Sequence, residues 1–141
     1  VVILILYPNK NFDEPYDGIV YSVFVGMGFA TAENLTFVLQ GTTSLAILRM
    51  FSAVPAHFIF AVIMGYYLGK AKTNEKFKLF NILLSLIVPI IFHAFYDYFL
   101  FLDFVPGIWV GGFITLLIAF YVARNSIIEH LKASPFKKKR I

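Results

Sequence analysis

Apolar residues fill four stretches of the chain, each about 20 residues long, which at ~1.5 Å per helical residue is enough to cross the ~30 Å hydrocarbon core of a bilayer. The first runs from about 17 to 39 and opens at Asp17 and Gly18. The second, about 44 to 69, contains Arg49, Pro55 and His57; the third, about 79 to 102, contains Pro89, His93 and Asp97; the fourth covers about 108 to 130. Between them lie a polar loop at 8–16 with two prolines, a turn near 41, a lysine-rich loop at 70–78 and a turn at 103–107. A basic tail, 131–141, closes the chain with Lys137, Lys138, Lys139 and Arg140. The apolar run Val1 to Leu6, stopped by Pro8, is too short for a span or a signal peptide and reads as the end of a helix whose beginning is missing. The expected fold is therefore all-α: a single integral-membrane domain, a polytopic transmembrane helix bundle with four full spans plus the end of an upstream helix, forming a fragment of a larger protein.

Composition supports the membrane reading. Of 141 residues, 60% are hydrophobic and 14% charged, against roughly 25% charged in soluble domains. There is no cysteine, which excludes disulfides and thiolate metal ligands. The net charge of +4 reflects topology rather than a nucleic-acid partner. With 70–78 in the cytoplasm, the 8–16 loop and the tail fall on the same side, and only Arg49 of the twelve Lys and Arg residues lies away from it. The C-terminal tail is expected in the cytoplasm.

Five ionisable groups remain at membrane depth: Glu33, Arg49, His57, His93 and Asp97. A carboxylate there costs roughly 2.5–3.5 kcal/mol on insertion scales, so such residues face each other or water. Glu33 lies roughly 9 Å from the outer end of its helix, Asp97 at a similar depth, and His57 and His93 one to two turns deeper. His93 and Asp97, four residues apart, share a helix face, as do Arg49, Ala53 and His57. Asp97 either fixes the His93 tautomer or joins it in ligating a metal ion. Small residues at Gly26, Gly28, Ala30 and Ala32 precede Glu33, and the two glycines are read as admitting a neighbouring helix. Gly65-xxx-Gly69 and Gly107-xxx-Gly111 are read as helix contacts, and Glu129 and His130 as interfacial.

At these residues the chain resembles the PrsW family of intramembrane proteases, distant relatives of the CAAX prenyl proteases. The resemblance is carried by Phe29-Ala-Thr-Ala-Glu33-Asn34, Arg49, Pro55-Ala-His57 and His93-Ala-Phe-Tyr96-Asp97, with Asp17-Gly18-Ile19-Val20-Tyr21 before them, and covers roughly 13 to 100. It implies peptide-bond hydrolysis in or beside a prokaryotic plasma membrane, by a glutamic-type or metal-dependent mechanism. The implied partner is a single-span membrane protein of the anti-sigma-factor type. Glu33 matches the family's second acidic motif, His57 and His93 its histidines, and Asp97 the acidic or amide position that follows. The family's first motif, Glu-Glu-x-x-Lys, is absent here and is expected just upstream of Val1.

The residues alone leave the chemistry open. A glutamate, Glu33 or one upstream, activates water while His57 and His93 polarise the carbonyl, with Arg49 and Asn34 in support. In the variant scheme Glu33, His57, His93 and Asp97 hold a metal. No cofactor is fixed by the sequence, and oxygen and nitrogen ligands would suit zinc, among others. Two rivals stand beside the peptidase: a proton- or ion-coupled transporter component and a non-catalytic membrane scaffold.

Overall fold

A computed structural model describes residues 1–102 and 104–135; the Lys137–Arg140 cluster and Asp103 lie outside the described residues. Among those described there is no strand. A short helical turn, Val2–Leu6, leads to α1 (Pro15–Gln40), α2 (Thr43–Phe51), α3 (Ala53–Thr73), a single 3-10 turn at Glu75–Phe77, α4 (Lys78–Phe101) and α5 (Val110–Ala133). Four segments are long and apolar enough to cross a membrane: Pro15–Leu39, Thr43–Thr73, Glu75–Phe101 and Val110–Ala133. The chain is an integral membrane protein of the helical-bundle class.

Local chemistry sets the helix ends. Pro15 occupies the first turn of α1, where its missing N–H costs nothing, and Glu14 and Asp17 form a reciprocal capping box. Thr42 caps α2 by accepting from the Leu45 N–H. The second span is not one straight helix as the apolar run suggested. It breaks at Ser52, because Pro55 lacks the N–H that would bond the Phe51 carbonyl and its ring crowds that carbonyl. Ser52 instead turns back, its Oγ donating to the Leu48 carbonyl at 2.8 Å. The lysine-rich loop is also shorter than the hydropathy implied, since α3 continues to Thr73. Lys70 and Lys72 extend from its last turn to polar partners, Lys72 Nζ donating to the Tyr7 carbonyl at 2.9 Å.

The helix α3 is the centre of the bundle. It packs against α1, α4 and α5, whereas α1 and α4 flank it with little direct contact between them. Ile19, Ile59, Phe60, Ile63, Tyr96 and Ala119 form the main core cluster, and Val2, Tyr7, Phe12, Leu68 and Ala71 a second one near the N-terminus. Helices α1 and α3 approach through backbone. A Cβ on Gly65 would overlap the Gly18 carbonyl, one on Gly69 the Pro15 carbonyl, and one on Gly26 would stand 2.7 Å from the Ala61 Cβ. The α1 face in contact is Gly18, Ser22, Gly26 and Ala30, at four-residue intervals. Gly28 is not part of it: a Cβ there would meet nothing within 4 Å. Gly107 is likewise no helix contact. Its φ of +80° places it in the turn before α5, a conformation that glycine adopts without steric cost, while Gly111 packs against the Phe99 ring.

Candidate functional site

Antiparallel packing of α1 on α3, with the α2–α3 break beside it, brings the polar residues of three segments together. Glu33 lies on the last third of α1, Arg49 near the end of α2, and His57 on the first turns of α3. Arg49 Nη2 donates to Glu33 Oε2 at 2.8 Å, and Arg49 Nε donates to Asn34 Oδ1 at 2.9 Å. The guanidinium also lies over the Phe37 ring, 3.8 Å from its centre. His57 Nε2 is 2.8 Å from the same Glu33 oxygen. One carboxylate oxygen is thus flanked by a fixed cation and an imidazole. The break at Ser52 allows this: Arg49 and His57, which a straight helix would stack on one face, instead approach Glu33 from two segments.

The second histidine comes from α4. The His57 and His93 rings meet edge to face, with centroids 5.0 Å apart, and Phe29 and Phe60 border them. His93 Nε2 lies 3.4 Å from Asp97 Oδ2, one turn along α4. Exposure grades along the set: the His57 side chain is 10% exposed, Glu33 28%, His93 35% and Asp97 41%. All four line a cavity of about 250 Å³ with Arg49, Ser52 and Tyr96. The Tyr96 hydroxyl is buried beside Ser52. Phe37 and Tyr96 are members that polar-residue counting missed. Phe37 sits one turn beyond Glu33, a position from which an aromatic ring can cover a cation bound to that glutamate.

Among the described residues no three His, Asp or Glu side chains converge as a metal-ligand set. Arg49 sits on the Glu33 oxygen that a ligand would offer, and His57 points its Nε2 at the same atom. No step is therefore derived through a metal ion.

Elsewhere, His130, near the end of α5, is buried within the bundle. It lies under Tyr66, ring centroids 4.8 Å apart, where Tyr66, Lys70 and Glu129 form a hydrogen-bonded cluster. The signal missed was its spacing from Ala119, Ala123 and Ser126, which follow one buried face of α5.

A helical membrane bundle with a carboxylate, an arginine and two histidines converging between its spans defines a class of membrane protein with a polar centre suited to acid–base chemistry. Comparison with known proteins makes this specific. A family model described as PrsW family intramembrane metalloprotease matches residues 1–124, and the chain belongs to that family. It is 41% identical over 117 residues to "Protease PrsW" of Geobacillus kaustophilus, covering 83% of this chain and 52% of that protein. It is 41% identical over 101 residues to "Protease PrsW" of Bacillus subtilis, covering 71% and 46%. It is 36% identical over 110 residues to "Protease PrsW" of Clostridioides difficile, covering 74% and 46%. The chain spans about half the length of the curated relatives it matches. No solved structure matches it.

Proposed function

We propose that this chain forms the histidine-bearing part of an intramembrane endopeptidase that cleaves a single-span, membrane-anchored regulatory protein of the anti-sigma-factor type, near the outer leaflet. The observation that carries the reading is the shared Glu33 oxygen, 2.8 Å from both Arg49 and His57. A charge network of this kind is expensive at membrane depth, and simple helix packing does not require it. Family membership and relatives named as proteases point the same way.

Hydrolysis requires a water proton to be removed, an oxyanion to be stabilised and the leaving amine to be protonated. The Glu33–His57 pair removes the proton as water attacks the carbonyl carbon, with Arg49 bonded to Glu33 and Asn34 holding Arg49 in register. His93 can donate to the oxyanion through Nδ1 while its Nε2–H faces Asp97 only as the imidazolium, so this role uses the doubly protonated ring. The C–N bond then breaks as the proton passes from the Glu33–His57 pair to the amide nitrogen. The charge of the Lys70 end of the bundle and of the tail supports a cytoplasmic position for both, and with that orientation this centre falls in the outer half of the membrane.

The test is cleavage of a tagged single-span reporter by the reconstituted full-length protein, with Glu33→Ala, His57→Ala and His93→Ala in parallel. Loss in all three is expected. Wild-type rates in all three would discard the site, and no cleavage by the wild type would favour a transporter component or scaffold. A chelator arm addresses the family's metalloprotease description: loss of activity that zinc restores would support metal ligation, and indifference to chelation the metal-free scheme.

A further inference from the structure

His57 and His93 line two cavities. On one side is the polar cavity described above; on the other, towards the Lys70 end of the bundle, is a second cavity of about 350 Å³. Its walls are almost wholly apolar. Phe29 of α1, Met64 of α3 and Leu86 and Ile90 of α4 contribute, and Ser22 reaches it from the α1–α3 seam. The space exists for identifiable reasons. Helices α1 and α4 both pack on α3 but hardly on each other, and the small residues on the contact face of α1 leave the gap beside them unfilled. Phe29, Leu86 and Ile90 are exposed on the bundle surface, whereas Ser22, Phe60 and Ala61 are buried. The cavity thus opens sideways, where lipid or another membrane span would lie, and ends at the histidines.

One polar atom is out of place there. Ser22 is 1% exposed, and its Oγ has no hydrogen-bond partner among the described residues, although a serine in a helix ordinarily donates to the carbonyl four residues back. A buried hydroxyl left over in an apolar cavity has a use if a backbone group of a bound segment reaches it.

The geometry points to this cavity as the specificity pocket of the peptidase: it receives a large aliphatic or aromatic side chain from the substrate's own transmembrane segment, on the membrane-interior side of the scissile bond. The inference rests on the peptidase reading above. Three observations favour a protein side chain as occupant. The cavity opens towards the membrane, its inner end is the histidine pair that would handle the peptide bond, and Ser22 supplies a hydrogen-bonding group that an acyl chain could not use. A volume of about 350 Å³ is small for a pocket, on the scale of 300–1,000 Å³ for whole-ligand sites, which suits one or two side chains rather than a span.

The test uses the reconstituted full-length protein and single-span reporters that differ only in carrying Ala, Leu, Phe or Trp at successive positions inward from the cleaved bond. At one position the wild type should cleave the Leu and Phe reporters at least tenfold faster than the Ala reporter. Leu86→Trp and Val25→Trp, which fill the cavity from its α4 wall and its α1 wall, both residues lining it, should each lower the Leu-to-Ala ratio of rates by at least tenfold. Met64→Ala, which enlarges it, should raise the Trp-to-Leu ratio. Ratios within one variant are insensitive to how much of it folds. Ratios that stay at wild-type values in all three variants overturn the pocket while leaving the peptidase intact, and are also the outcome expected of a lipid-filled cavity. If the wild type cleaves no reporter, the peptidase reading fails, and a photo-crosslinking reporter with benzophenone at the same inward positions decides the pocket separately. A crosslink to this chain that Leu86→Trp abolishes supports a span-binding pocket; a crosslink unaffected by filling, or none, overturns it.

Discussion

Arg49 Nη2 stands 2.8 Å from Glu33 Oε2, and the arginine is held from a second side by Asn34 and from a third by the face of Phe37. Three residues of one helix, α1, are therefore spent on fixing one guanidinium of α2. At membrane depth an unpaired carboxylate would take up a proton or draw in water, and either would leave His57 without its partner. The arginine explains how Glu33 remains in a helix that is otherwise lipid-compatible.

The pair makes a first prediction. Arg49 reaches Glu33 and Asn34 through two separate nitrogens of one planar fork, a geometry that lysine's single ammonium does not reproduce. Arg49→Lys should lower reporter cleavage about tenfold and Arg49→Gln about a hundredfold, as a charge-assisted contact worth about 1.5–3 kcal/mol is weakened or removed. In unfolding measurements on the full-length protein in detergent, a double-mutant cycle with Glu33→Gln should give a coupling of about 0.5–3 kcal/mol. Additive effects would show that the two side chains do not interact.

The α1–α3 seam gives a second. A Cβ at Gly65 would overlap the Gly18 carbonyl, whereas one at Gly28 would meet nothing within 4 Å. Gly65→Ala should destabilise by about 1–3 kcal/mol through overpacking. Gly28→Ala should stabilise by about 0.5–1 kcal/mol through lower chain entropy. Thermal midpoints of the two purified variants check the contrast, and equal shifts would contradict the observed packing.

How far the sequence revealed this differs by feature. Spans were legible because a helix must be apolar over the whole bilayer thickness, a constraint that leaves a long uniform signal. That Glu33, His57, His93 and Asp97 come to one level of the bundle was legible for the same reason, since position along a helix follows from counting. The break at Ser52 was only half visible: Pro55 marked trouble, but hydropathy stayed high on both sides. Gly26 and Gly28 looked equivalent because each is a small residue before Glu33; only four-residue spacing from Gly18 and Ser22 separates the contact glycine from the free one. Gly107 matched a small-xxx-small pattern that its turn conformation overrides. That Arg49 occupies the Glu33 oxygen could not be read at all, because it depends on where the arginine directs its guanidinium.

A third prediction concerns the N-terminal cluster. Tyr7 is packed against Phe12, and its hydroxyl is buried with no protein partner among the described residues. Burial raises its pKa above the ordinary phenol value, with Lys78 opposing and Glu75 adding to the shift. The fold thus favours the neutral phenol. That contribution is complete below the unfolded-chain value near 10 and is lost as pH rises through the higher folded value. Tyr7→Phe should leave stability at pH 8 unchanged or higher by up to about 1 kcal/mol, since it removes an unsatisfied hydroxyl. It should also reduce the loss of thermal midpoint between pH 9 and 11. An alkaline transition as steep as the wild type's would show that Tyr7 is not its source.

The last prediction ranks the site residues by how tightly each is held. His57 is 10% exposed and faces Glu33 at 2.8 Å, whereas Asp97 is 41% exposed and stands 3.4 Å from His93, beyond a strong charge-assisted hydrogen bond. Glu33→Ala and His57→Ala should therefore each lower the cleavage rate by about 10²–10⁴, the range expected for a group that moves a proton. His93→Ala should fall in the same range if it meets the oxyanion. Asp97→Asn should cost only about tenfold, because an amide oxygen can still accept from the imidazole and orient it. Asp97→Ala, which removes that acceptor, should cost more than Asp97→Asn but less than His93→Ala. The measurement is single-turnover cleavage of one reporter by the whole series. Should Asp97→Asn prove as damaging as His57→Ala, the charge of Asp97 would be needed directly at the reacting atoms, and the orienting role would have to be replaced by proton transfer or ligation at that carboxylate.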